Sequence, residues 1–250
     1  MKKLKFTFKN AAGEELAGLL ELPENPKAFA LLVHCFTCGK DLKGAARIAR
    51  KLTENAIAVL RFDFTGLGNS EGDFSNTNFS SNISDLLCAV DYLRRQYEAP
   101  SLLIGHSLGG SAILSIAGEV PEAKAVVTIG SPGELTHVKR LFKDDVENIN
   151  QHGAYPVELA GRVFTLKKQM LDNIQEHKIA HKVFAMNKPL LIFHATEDDT
   201  VLIEQAEKIF KAAKHPKSFI SLGKADHLLT HAQDAEYVAD IIISWSECYL

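Results

Sequence analysis

Long apolar runs are missing from this 250-residue chain; none approaches the roughly 18 residues that a bilayer-crossing helix needs. A basic excess is missing too. Lys and Arg number 28 against 31 Asp and Glu, a formal charge of -3, so nothing marks a nucleic-acid surface or an acidic tail. Cysteine is scarce: Cys35, Cys38, Cys88 and Cys248 are too few and too scattered for a disulfide framework. The basic start Met1-Lys2-Lys3-Leu4-Lys5 is followed by no apolar segment, because Lys5 and Lys9 interrupt it, so the expected home is the cytoplasm. Repeats, low-complexity tracts and Pro/Gly/Ser linkers are also absent. What is present is a balanced composition, 46% hydrophobic and 24% charged, that suits a globule with a substantial core.

Strand-like and helix-like segments alternate along the chain. Residues 5–9 and 16–22 read as a hairpin joined at Ala12-Gly13-Glu14. Residues 28–35 form a dense apolar run of the kind buried on both faces of a parallel sheet. Residues 42–55 place Ala45, Ile48, Ala49 and Leu52 at helical spacing, and 57–64 is the next strand. Residues 83–97 read as helix, 101–104 and 125–129 as strands, 190–194 as the seventh strand and 201–213 as helix. Residues 218–222 are the eighth strand and 232–249 a closing helix. This order predicts an eight-stranded, mostly parallel sheet with helices on both faces.

Residues 133–188 break the alternation. They hold a helical stretch at 138–149, a small hairpin turning at Ala160-Gly161, and a helix over 167–177. An insertion after the sixth strand falls over the carboxyl ends of the strands, where open α/β sheets keep their ligands, so it is read as a cap. The expected organisation is one domain over residues 1–250 with this cap inside it.

The chemistry centres on Gly105-His106-Ser107-Leu108-Gly109, which follows the strand run Ser101-Leu102-Leu103-Ile104 and leads into a helical stretch at 111–117. A strand, a Gly-x-Ser-x-Gly turn and a helix make a nucleophile elbow. The serine sits in strained backbone at a tight turn, and the flanking glycines avoid collisions there. The next N–H, that of Leu108, opens a helix and can face a developing oxyanion.

A serine hydroxyl needs a base, and the base an orienting carboxylate. After the seventh strand comes His194-Ala195-Thr196-Glu197-Asp198-Asp199-Thr200-Val201, and Asp198 is the favoured acid, with Asp199 as runner-up. Past the eighth strand comes Gly223-Lys224-Ala225-Asp226-His227-Leu228-Leu229. Of ten histidines, His227 occupies the place of the base, and His231 is the alternative. The loop His34-Cys35-Phe36-Thr37-Cys38-Gly39-Lys40-Asp41 would supply a second oxyanion donor, the Phe36 N–H. Its Cys-x-x-Cys could suggest redox chemistry or half a zinc site, but the favoured reading is two small side chains packed beneath the site. In Arg61-Phe62-Asp63-Phe64-Thr65-Gly66-Leu67-Gly68-Asn69-Ser70, Asp63 and Ser70 are assigned to turn hydrogen bonds.

Together these residues resemble the α/β-hydrolase superfamily over essentially the whole chain. The stretches His34-Cys35-Phe36-Thr37-Cys38, Phe62-Asp63-Phe64-Thr65-Gly66-Leu67-Gly68 and Asn76-Thr77-Asn78-Phe79 are similar to a bacterial branch of it, as are Lys167-Lys168-Gln169-Met170 and Ala213-Lys214-His215-Pro216. In some members of that branch the hydrolase is fused to an osmotically inducible peroxidase-like domain, and this chain would be the stand-alone form. The resemblance implies a serine hydrolase with Ser107, Asp198 and His227 as triad and no cofactor or metal. The expected substrate is a small carboxylic ester, with no nucleic acid or membrane as partner. Thioesterase, peptidase and acyltransferase action with the same triad are alternatives, as is a non-catalytic binding protein of the same fold.

Overall fold

The computed structural model describes residues 1–35, 37–159 and 161–250. Strands β1 (Lys2–Lys9) and β2 (Glu15–Leu22) form the expected antiparallel hairpin. Then come β3 (Ala28–Val33), α1 (Lys43–Glu54), β4 (Ile57–Phe62), α2 (Phe79–Gln96), β5 (Leu102–His106), α3 (Leu108–Ile116) and β6 (Ala125–Ile129). After an intervening segment the series resumes with β9 (Leu190–His194), α7 (Glu204–Ala212), β10 (Lys217–Ser221) and α8 (Ala232–Ser246). The eight-stranded sheet has the order β1-β2-β4-β3-β5-β6-β9-β10. Every pairing from β4 to β10 is parallel, and only the β1–β2 and β2–β4 pairings are antiparallel.

The apolar runs explain this arrangement. In β3 all six residues are buried, and the strand period of two sends Phe29, Leu31 and Val33 to one face and Ala28, Ala30 and Leu32 to the other. The first set packs with α2, α3 and α7; the second packs with α1 and α8. Ala45, Ile48, Ala49 and Leu52 are the buried stripe of α1, as their spacing implies. Each fully buried leucine or isoleucine of these layers contributes about 1.5–3 kcal/mol. No helix among the described residues is long and apolar enough to cross a membrane.

Between β6 and β9 the chain adds α4 (Val146–His152), the separate antiparallel hairpin β7 (Ala154–Leu159) and β8 (Arg162–Lys167), α5 (Lys168–Glu176) and α6 (Ile179–Met186). These elements supply no strand to the main sheet. Three readings of local structure are corrected here. Residues 138–149 are not one helix: a 3-10 segment, Leu135–Asp145, is broken at Phe142 (φ -143°, ψ 36°) before α4 begins. Helix α6 was not expected. Helix α2 starts four residues early, because Asn78 and Ser81 form a reciprocal cap ahead of the first apolar periodicity at Ile83. The expected turn residue Ala160 lies outside the described residues.

Buried charge ties the sheet to the loop after β3. Arg61 lies 3.2 Å from Glu21 and donates to the Lys40 carbonyl, while Lys3 reaches Glu21 at 2.8 Å. Asp63 accepts from the Lys40 N–H at 2.6 Å, the Lys40 ammonium at 2.7 Å and the Asn69 N–H at 3.0 Å. Ser70 Oγ donates to the Asp63 carbonyl within this loop, as expected, but it also accepts from the Ala17 N–H of β2, and the Asp63 side chain forms a buried ion pair with Lys40 beyond the expected turn bonds.

Candidate active site

Strands β5, β9 and β10 lie on one side of the sheet and all end toward the same edge, so the loops that follow them converge. Ser107 follows β5 directly and has φ 54° and ψ -128°, a conformation that L-residues avoid. The geometry explains both glycines. A Cβ on Gly105 would stand 2.4 Å from Gly110 Cα, and one on Gly109 would stand 2.3 Å from the His34 carbonyl oxygen. The turn is held by Ser107 N–H donating to the Ile129 carbonyl at 2.8 Å and Gly110 N–H donating to the Ser107 carbonyl at 2.9 Å. Leu108 is the first residue of α3, and its N–H is among those that a helix start leaves without an intrahelical partner.

Ser107 Oγ lies 3.0 Å from His227 Nε2, and His227 Nδ1 lies 2.7 Å from Asp198 Oδ2. If Nδ1 carries the proton given to the carboxylate, Nε2 is left as the acceptor for the serine hydroxyl. The other Asp198 oxygen accepts from the Thr200 and Val201 N–H groups at 3.0 and 2.9 Å. Burial pushes the Asp198 carboxyl up, but hydrogen bonding to His227, the His227 charge and the Val201 N–H together hold it below the usual carboxylate range. The runner-up residues stay outside. Asp199 is exposed and, among the described residues, accepts from the Thr200 hydroxyl at 3.2 Å; His231 is exposed where α8 begins. Phe36, the expected second oxyanion donor, lies outside the described residues.

Further groups at this site were not singled out by the sequence. His106 is buried and donates Nε2–H to the His227 carbonyl at 2.6 Å; burial first, and the neighbouring His227 second, push its pKa down to about 3. His194 donates Nε2–H to the Val201 carbonyl at 2.7 Å, on the same turn that holds Asp198, and burial lowers its pKa too. Asp226 steadies the loop that carries His227 by accepting from the Leu228 and Thr230 N–H groups. His106 sits inside the quoted pentapeptide, yet only the fold brings it to the His227 backbone.

One expectation about the loop after β3 is overturned. Cys35 and Cys38 are joined in a disulfide, with Cα atoms 5.4 Å apart, rather than being two separately packed side chains. They line a cavity of about 250 Å³ with Thr37, Ser107 and His227. Leu141, Glu158 and Leu159, from the segment between β6 and β9, enclose it with Thr200 and Leu228. The hydrogen-bonded chain Ser107–His227–Asp198 thus opens into a mainly apolar pocket.

Known proteins carry the same arrangement of elements. A family model described as serine aminopeptidase, S33, matches residues 24–143, which include the loop after β3 and the elbow but neither Asp198 nor His227. The esterase domain of a Rhodothermus marinus protein is 44% identical, with a TM-score of 0.81, over 100% of this chain and 99% of that one. Est1E of Butyrivibrio proteoclasticus, solved with ferulic acid, shares the fold at 22% identity, with a TM-score of 0.84 and 98% of each chain covered. A bovine protein named mitochondrial palmitoyl-protein thioesterase ABHD10 is 26% identical over 58% of this chain and 48% of its own length. This chain therefore spans about half the length of the thioesterase relatives it matches. The end-to-end match at 44% identity, joined to the shared sheet and the family match, means that the chain belongs to the α/β-hydrolase superfamily.

Proposed function

We propose that this protein is a serine esterase that cleaves small carboxylic esters through an acyl-enzyme. The observation that carries the reading is the unbroken chain from Ser107 Oγ to His227 at 3.0 Å and from His227 to Asp198 at 2.7 Å. His227 takes the Ser107 proton as the oxygen attacks the ester carbonyl, and Asp198 holds the imidazole and offsets its charge. The Leu108 N–H, with that of Phe36, would hold the oxyanion; one such donor is worth about a hundred- to a thousandfold in turnover. His227 then gives its proton to the leaving alcohol; it next takes one from a water whose oxygen attacks the acyl carbonyl, and passes it to Ser107 Oγ as the acyl–serine bond breaks and the acid leaves. Residues 133–188 act as the cap, since Leu141, Glu158 and Leu159 close the pocket over Ser107.

A cavity of about 250 Å³ is below the ~300–1,000 Å³ of pockets for drug-sized ligands, which favours a short acyl group. A thioester is the second reading, supported by the bovine relative's name. The test is a panel of p-nitrophenyl esters from acetate to laurate, run on wild type and on Ser107→Ala. The expected result is a short-chain optimum and a roughly millionfold lower turnover in the variant, as for a triad acting as a unit. Turnover that survives in Ser107→Ala, or a wild-type serine that ignores a fluorophosphonate probe, sinks the proposal.

A further inference from the structure

We propose that the Cys35–Cys38 disulfide is a positioning element of the acyl-transfer site, which holds the loop after β3 in its working shape, and that a dithiol reductant lowers turnover by opening it. The inference rests on the esterase reading of Ser107. Its ground is where the bond lies. Both cysteines line the cavity that contains Ser107 and His227, and the bridged stretch is the part of the loop expected to supply the second oxyanion donor.

The loop is pinned on either side of the bridge. On one side the His34 carbonyl is packed against Gly109, so closely that a Cβ there would stand 2.3 Å away. His34 Nδ1–H also donates to the Cys35 carbonyl at 2.6 Å. On the other side the Lys40 N–H and ammonium are bound to buried Asp63 at 2.6 and 2.7 Å. Neither flank can yield without breaking a buried contact. A change in the bridge is therefore taken up between them, beside the reacting serine.

Reduction cuts this tie, so the wall that Cys35 and Cys38 form beside Ser107 is free to rearrange. A misplacement of about 1 Å can cost about a hundredfold in rate where reacting groups must be aligned. Cys38 is half-buried and Cys35 buried, so an incoming thiolate meets Cys38 first. It forms a mixed disulfide with Cys38 and releases Cys35 as thiolate. The reductant's second thiol then displaces Cys38, so that the reductant leaves as its own disulfide. Two electrons and two protons end on the two cysteines.

The test uses the intact protein, reduced with dithiothreitol, desalted under nitrogen and assayed with p-nitrophenyl acetate. Alkylation and intact mass count the thiols. Two are expected before reduction, Cys88 and Cys248, and four after it. The expected result is a kcat lower by roughly ten- to a hundredfold with KM little changed, and recovery on reoxidation with diamide. Cys88→Ser/Cys248→Ser should keep the full response. Cys35→Ser/Cys38→Ser should start low and ignore the reductant, and circular dichroism of both checks folding. A protein with four free thiols and unchanged kcat overturns the proposal while leaving the esterase reading intact. An oxidised protein that neither turns over ester nor labels at Ser107 removes the esterase reading, and the positioning role with it.

Discussion

His106→Gln should make the protein less sensitive to acid, and the structure sets the amount. His106 is fully buried and faces His227, Asp198 and His34; burial and the His227 charge hold its pKa at about 3 against an ordinary 6.5. Each tenfold in proton affinity is about 1.4 kcal/mol, so protonating folded His106 costs about 5 kcal/mol. Below about pH 6.5 the unfolded chain takes up this proton and the folded chain does not, so stability falls as pH falls. By about pH 5 the loss from His106 alone is about 2 kcal/mol. Glutamine removes the titration while its side-chain N–H can still donate to the His227 carbonyl. His34 and His194 are also pushed down by burial, so the variant stays acid-sensitive, and the difference between the two proteins isolates His106. Urea unfolding by circular dichroism near pH 7.5 and pH 5, extrapolated linearly to water, reads it. Equal losses in the two proteins would refute the buried, neutral imidazole beside His227.

The two neighbouring acids should separate cleanly in steady-state kinetics. Asp198→Asn, which unseats the His227 tautomer, should lower kcat by about ten-thousandfold, whereas Asp199→Asn, at an exposed turn, should leave it near wild type; the reverse order would move the acid. Gly109→Ala must part the elbow from the His34 carbonyl, so kcat should fall by about a hundredfold or more and thermal unfolding should come earlier. A wild-type melting temperature and rate in that variant would mean that the elbow and the loop after β3 are not in the close contact described.

Much of this protein was legible in the order of its residues, for identifiable reasons. Strands buried on both faces are read from runs such as Ala28-Phe29-Ala30-Leu31-Leu32-Val33, because burial on two sides leaves no polar position. That Ser107, Asp198 and His227 would lie together could be read because a tight turn needs glycines around it and the ends of parallel strands share one edge. Periodicity failed where local capping or a kink took over, as at Asn78 and Phe142, and in the intervening segment, where α6 went unread. Nothing in the spacing of Cys35 and Cys38 distinguished two thiols from one bond; that depends on whether the loop brings their Cα atoms to 5.4 Å. Likewise, a histidine inside a Gly-x-Ser-x-Gly motif carries no sign that it will hold the carbonyl of a residue 121 positions later. Elements and their chemistry are written locally, in period and turn residues. Which buried imidazole meets which backbone, and which residues close the pocket, is decided by contacts between distant parts of the chain that exist only once the sheet has assembled.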